Sequence, residues 1–406
     1  MALRTSRPVR TALVAGLAAV AVVATAMMPA TAVARAPKPG TACVKAGRTV
    51  VVAQLKYTCA KKGAKLVWGK GVKVAATLPK LATAPTLRLG FFANVTHAAA
   101  LIAIQQGFFD KYLGADGTKV EYTVFNAGPS AIEAIKGGAI DASYIGPNPT
   151  ISGFVSTDGE LIRAVSGATS GGAQLVVKPS INSVADLKGK TLATPQLGNT
   201  QDVALRAWLK KNGYNVSLTG QGDVQVLPTD NAQTLALFQK GDIDGAWLPE
   251  PWASRLVIDA GAKVLLDETS LWPNGDFVTT NIVAETNYLA KYPGTVRSLI
   301  RANIAAIQWA KANSAAAKDA VQAQLLKWSG KKLSDAVINR AWDNLRLTWD
   351  PIATSLKTSA NNAVKAGVLT NLGADGINGI YDLRLLNSVL KFSKLPTVSA
   401  NKLGLE

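Results

Sequence analysis

A single histidine, two cysteines and no acidic residue among the first eighty positions set the limits for this 406-residue chain. One imidazole, His97, leaves no histidine pair to bind a catalytic metal or to relay a proton. Two thiols, Cys43 and Cys59, cannot close a zinc site without histidine partners. Neither a Gly-x-Ser-x-Gly elbow nor a Gly-x-Gly-x-x-Gly turn is present, so the usual serine-hydrolase and dinucleotide signatures are missing. Gly189-Lys190-Thr191 copies the end of a phosphate loop, but Val184 stands where that loop needs its first glycine. No catalytic residue, metal or cofactor is expected, and the chain reads as a binder rather than an enzyme. Aromatic residues make up only 6% of it, yet nine are Trp, which keeps indole contacts to a ligand in view. Hydrophobic residues, at 48%, are enough for true cores, and the length allows two ordinary domains.

The missing acidic residues are all at one end. Residues 1–80 hold fourteen Lys or Arg and no Asp or Glu, whereas residues 81–406 hold 30 basic and 26 acidic residues, a net of +4 out of the formal +18. Arg4, Arg7 and Arg10 precede an uncharged apolar run over residues 12–28, and Ala32-Val33-Ala34 fits a small-x-small cleavage site. Residues 1–34 are therefore expected to be an export signal, with a membrane anchor as the competing reading. Cys43 lacks the preceding leucine of a lipidation site. In an exported chain the pair Cys43 and Cys59 is expected to form a disulfide. Residues 37–76 read as a small basic Cys-containing module with short strands, and 77–85 as a linker. A basic arm is drawn to an anionic surface polymer or lipid, or is simply a solvated spacer. The nearly balanced body shows no basic stripe for nucleic acid.

From Thr86 on, the pattern alternates. Residues 87–92, 119–125 and 139–145 read as strands, with helices opening near residues 94 and 129. That β-α-β-α-β order is the signature of a parallel sheet. Further strands are expected at 161–165, 173–177, 191–194, 224–227, 263–266 and 277–284, and helices at 199–212 and 229–240. Beyond Glu285 the periodicity is helical: Val296, Leu299, Ile300, Ile304 and Ile307 keep a spacing of three to four. Helices follow over 315–328, 335–345, 356–368 and 382–392.

One stretch organises the rest: Gly241-Asp242-Ile243-Asp244-Gly245-Ala246-Trp247-Leu248-Pro249-Glu250-Pro251-Trp252. It reads as a buried strand running into a helix, where open α/β sheets place ligands. Gly137-Gly138-Ala139-Ile140-Asp141 to Pro147-Asn148-Pro149 repeats that grammar, so two similar lobes are expected to face each other. Five strand-to-helix turns, uncharged apart from Glu250, supply the candidate ligand contacts: Asn94 and His97; Gly128 and Ser130; Asn148; Asn199 and Thr200; Glu250 and Trp252. Helix starts present free N–H groups and partial positive charge, so such turns hold anions without Lys or Arg. Glu250 carries two readings: it caps its own helix, or it meets the ammonium of a zwitterion. Trp247 or Trp252 would cover the rest of the ligand.

The ordered pieces Leu87-Arg88-Leu89-Gly90, Gly107-Phe108-Phe109, Gly128-Pro129-Ser130, Gly138-Ala139-Ile140-Asp141, the run 184–190 and Gly275-Asp276-Phe277-Val278-Thr279-Thr280 resemble one family. Over residues 86–310 the chain looks like the nitrate/sulfonate/taurine-type substrate-binding proteins of ABC importers. The resemblance implies an α/β, two-lobed periplasmic-binding-protein-like fold with two crossover segments, near 178–182 and 278–284, and a helical C-terminal part, behind the β-rich Cys module. The lobes would be 86–179 and 180–280, with 281–406 returning to the first. It implies an extracytoplasmic, monomeric protein that captures an alkylsulfonate- or taurine-like anion and delivers it to a permease. Nitrate, bicarbonate or a pyrimidine precursor is the alternative ligand. A cell-surface sensor is the rival role, and an enzyme on the same fold lacks the His and Cys it would need.

Overall fold

In Leu55–Lys62 the side chains of Tyr57 and Cys59 point inward while their neighbours face solvent, the period-two pattern of a half-buried strand. The computed structural model describes residues 36–73 and 78–406; the expected leader and its cleavage site lie outside them. In the first unit Leu55–Lys62 pairs antiparallel with Thr49–Val52, Lys65–Trp68 and Val72–Lys73. Cys43 and Cys59 are disulfide-bonded. A module this small has little apolar core, and a cross-link compensates by restricting its unfolded chain. All nine Lys and Arg side chains of residues 36–73 are exposed.

The second unit, residues 78–406, holds two sheets. The first runs Gly404–Leu405, Tyr381–Asp382, Ile162–Gly171, Val278–Glu285, Ala142–Ile145, Thr86–Phe92, Lys119–Phe125, with Leu345–Leu347 added beside Ile162–Gly171. The second runs Gln225–Pro228, Thr191–Thr194, Gly245–Pro249, Ala173–Val177, Lys263–Asp267. Gly245–Pro249 is buried along its whole length, as a strand covered by helices on both faces must be. Helix Pro293–Ala312 buries Val296, Leu299, Ile300, Ile304 and Ile307, the stripe its spacing predicts.

The chain crosses between sheets earlier than the sequence indicates. Strand Ala173–Val177, read as part of the first lobe, pairs with Gly245–Pro249 and Lys263–Asp267 in the second sheet. The first crossover is therefore at Gly171 and Gly172, not at 178–182. Both glycines have positive φ, +74° and +77°, a conformation side chains resist, and this pair turns the chain from one sheet to the other. Apolar periodicity marks 173–177 as a strand without saying which sheet it joins. The return crossover is made by the short turns Glu268–Leu271 and Pro273–Gly275; Val278–Glu285 lies wholly within the first sheet. Two C-terminal helices reach back to the second lobe. Ala353–Ala366 packs Ala363 and Ala366 on Val203, and Asp335–Asp343 places Arg340 beside Glu250. No helix among the described residues is long and apolar enough to cross a membrane.

Candidate functional site

Helix starts from both lobes converge where the lobes meet. Asn94 and the turn Val95–His97 lead into Ala98–Gln105, and Gly146 precedes Pro147–Val155. From the second lobe come Asn199 and Thr200, opening Thr200–Lys211, and Asn231, opening Asn231–Lys240. Asp202 fixes the loop before the first of these: its carboxylate accepts the Gly198 N–H at 3.0 Å and the Thr194 hydroxyl at 2.9 Å, and pairs with buried Arg206. Between these turns lies a cavity of about 20 Å³, room for little more than a water molecule. Asn94, Thr96, His97, Asn126, Asn199, Thr200, Gln201, Asn231 and Thr279 line it with Phe92, Gly146, Pro195 and Pro249. No Lys, Arg, Asp or Glu is in this lining among the described residues.

Among the described residues, two polar atoms there are buried without a protein partner, Thr200 Oγ1 and Asn231 Oδ1. A buried hydroxyl left unpaired is costly. The Asn231 amide presents either its oxygen or its NH2 by a half turn. A Cβ at Gly146 would come within 2.3 Å of Thr200 Oγ1, so glycine there keeps space in front of the hydroxyl. Burial holds the pKa of His97 down to about 3. Its Nδ1 accepts the Phe92 N–H at 3.3 Å, so the neutral ring carries its proton on Nε2 and is an uncharged donor. The set is rich in neutral donors and carries the positive ends of helix dipoles, which is the chemistry of anion binding without formal charge.

The expected site residues divide. Asn94, His97, Asn199 and Thr200 meet at the cavity. Gly128 borders it through its N–H, which donates to Asn199 Oδ1 at 3.3 Å. Ser130 is exposed and shares a weak hydrogen bond with Gln196, 3.3–3.4 Å, beside a separate, larger cavity. Asn148 is turned away: its Nδ2 donates to the Ser359 carbonyl at 3.1 Å. Glu250 is fully buried, and its carboxylate accepts from Ser254 N at 3.1 Å, Asn344 Nδ2 at 2.7 Å and Arg340 Nη1 at 3.2 Å. Burial raises its pKa, opposed by Asn344, Ser254 and Arg340. The carboxylate thus faces Ser254, Asn344 and Arg340, and Glu250 is not among the residues that line the small cavity. Trp252 lies under Arg255 and donates to Asn94 Oδ1 at 2.9 Å. Trp247 is in the core, its Nε1 donating to Glu268 Oε2 at 2.8 Å, and does not reach the ligand space.

Thr96 and Gln201 fall within the expected turns 94–97 and 198–201 without being singled out, and sequence reasoning passed over Asn231, Asn126 and Thr279. For Asn231 the signal was available: Pro228-Thr229-Asp230-Asn231 is another strand end running into a helix. The lobes meet through Thr96 N donating to the Glu250 carbonyl at 3.3 Å and Asn126 Nδ2 to Asp230 Oδ1 at 2.8 Å, besides the Trp252 and Asn199 bonds.

Comparison with known proteins agrees with this architecture. The chain is 28% identical over 195 residues to the taurine-binding periplasmic protein of Escherichia coli, covering 47% of this chain and 58% of that one. It is 26% identical over 255 residues to the nitrate/nitrite binding protein NrtA of a Nostoc species, covering 58% and 56%. Its fold matches that of the alkanesulfonate-binding protein SsuA of Xanthomonas axonopodis bound to MOPS, with TM-score 0.59 and 22% identity over 71% of this chain and 95% of that one. The nitrate-binding protein NrtA of Synechocystis superposes with TM-score 0.61 at 17% identity, covering 79% and 88%. The fold is thus that of the periplasmic binding proteins. The profile of the NMT1-like family matches residues 81–326, more than half of the sequence, and the chain belongs to that family.

Proposed function

We propose that this chain is the extracytoplasmic solute-binding component of an ABC importer, and that it captures a small organic oxyanion, an alkylsulfonate or taurine-like compound, between its lobes. The observation that carries the reading is the buried Thr200 hydroxyl, without a partner among the described residues, set among helix starts and facing a cavity with no charged described residue in its lining. The similarity to sulfonate-, taurine- and nitrate-binding proteins supports the ligand class. The ligand is bound without turnover and passed to a membrane permease by a monomer. A leader over residues 1–34 directs export, and the basic module, with nine exposed cations and no acidic residue in 36–73, holds the protein near an anionic cell-surface polymer. The small cavity volume favours a second reading, a compact inorganic oxyanion such as nitrate. Thermal unfolding with methanesulfonate, taurine, nitrate and bicarbonate separates the two: sulfonates raise the melting temperature under the first reading, and nitrate alone under the second.

A further inference from the structure

Val51 and Val72 of the small first unit are 59% and 66% exposed. A single exposed valine is ordinary; these two share one row of the sheet. Val51 on Thr49–Val52 stands opposite Lys56 on Leu55–Lys62, and Lys56 stands opposite Val72 on Val72–Lys73. Side chains directly opposite one another leave a sheet on the same side, and all three face solvent. The valines are thus about 10 Å apart, two strand spacings, with the lysine between them. The row lies one residue from the hairpin turn Ala53-Gln54, where both residues have positive φ, +49° and +63°, as a tight hairpin turn requires. Val52 and Leu55, half-buried, pair at that turn, so this end of the sheet presents apolar surface. Lys70 and Lys73, both exposed, flank Val72 along the chain.

With nine exposed cations and no acidic residue in 36–73, the partner of this surface is anionic. A soluble polyanion uses the lysines and leaves the valines in water. A lipid surface uses both: valines enter the boundary between headgroups and acyl chains, and the lysines beside them meet lipid phosphates. We propose that the Ala53-Gln54 end of the module docks on an anionic lipid bilayer through Val51, Val72, Lys56, Lys70 and Lys73. This rests on export of the chain and goes beyond the general attraction to a surface polymer given above. Two valines and three lysines hold a protein only reversibly. The contact is therefore peripheral and is weakened by salt.

Flotation of the mature protein with vesicles tests this. Vesicles of phosphatidylglycerol and phosphatidylcholine bind it, and vesicles of phosphatidylcholine alone do not. Val51→Ser combined with Val72→Ser weakens that binding by roughly tenfold or more, and Val51→Leu with Val72→Leu preserves it. Lys56→Gln weakens it about fivefold, the loss for one cation near an anionic surface. Both valines are exposed, so the substitutions leave the melting temperature unchanged. Soluble polyglutamate reads charge alone, and the serine pair leaves its binding as it was. Vesicle binding that the serine pair does not weaken overturns the docking and leaves the attraction to a polyanion standing. Polyglutamate binding without vesicle binding has the same meaning. Binding of neither overturns both.

Discussion

The indole N–H of Trp252 donates to the side-chain oxygen of Asn94 at 2.9 Å, joining the second lobe to the first at the edge of the anion cavity. The bond exists only while the lobes are together, so it contributes to closure rather than to the fold of either lobe. Trp252→Phe keeps the ring and removes the donor. A hydrogen bond of this kind is worth about 1 kcal/mol, so affinity for methanesulfonate should fall about fivefold with the melting temperature of the ligand-free protein nearly unchanged. A large loss of stability instead would make Trp252 a core residue and not a latch.

Thr200→Val gives opposite signs for stability and for binding. The hydroxyl has no partner among the described residues, so its removal should leave the free protein as stable or more stable by about 1 kcal/mol. Ligand-induced stabilisation should disappear. Denaturant titration with and without methanesulfonate reads both; a destabilised variant that still binds normally would take Thr200 out of the site.

Glu250→Gln breaks the ion pair with Arg340 and weakens the hydrogen bond accepted from Ser254 N in the first turn of Trp252–Ala260. The expected cost is about 1–3 kcal/mol of stability. Affinities for taurine and for methanesulfonate should fall together or not at all. A loss of ten-fold or more for taurine alone, set by about 1.5–3 kcal/mol for a charged hydrogen bond, would give Glu250 back a role in holding an ammonium.

Two buried groups tilt stability in opposite directions with pH. His97 has its pKa lowered from 6.5 to about 3 by burial, so the unfolded chain takes up its proton first. Its contribution is present above pH 6.5 and is lost as pH falls toward 3. Burial raises Glu268 from 4.5 to about 7, against the hydrogen bond it accepts from Trp247. Its contribution is present below pH 4.5 and is lost as pH rises through 7. Relative to the native protein, His97→Gln should therefore gain stability on acidification from pH 6.5, and Glu268→Gln should gain it as pH rises from 4.5 to 7. Parallel stability–pH curves for either variant would contradict the assignment.

Much of the fold was legible because its signals are local. The helix expected over 199–212 is Thr200–Lys211, and the strand over 191–194 is Thr191–Thr194. What was not legible depends on partners distant in sequence. The carboxylate of Glu250 is satisfied by Arg340 and Asn344, about ninety residues away in the chain, and nothing near Glu250 announces them. Asn148 repeats the grammar of a ligand turn, yet its amide is taken by Ser359 on a later helix. Trp247 and Trp252 look alike in sequence, and only the burial of strand Gly245–Pro249 sends Trp247 into the core.

The central claim is that a cradle without formal charge holds a small anion between the lobes. Differential scanning calorimetry of the mature protein against methanesulfonate, octanesulfonate, taurine, nitrate and bicarbonate tests it most directly. At a hundredfold excess over its dissociation constant the true ligand stabilises by about 2.7 kcal/mol, and Thr200→Val abolishes the shift. No shift with any of these anions, or a shift that Thr200→Val leaves intact, would contradict the account.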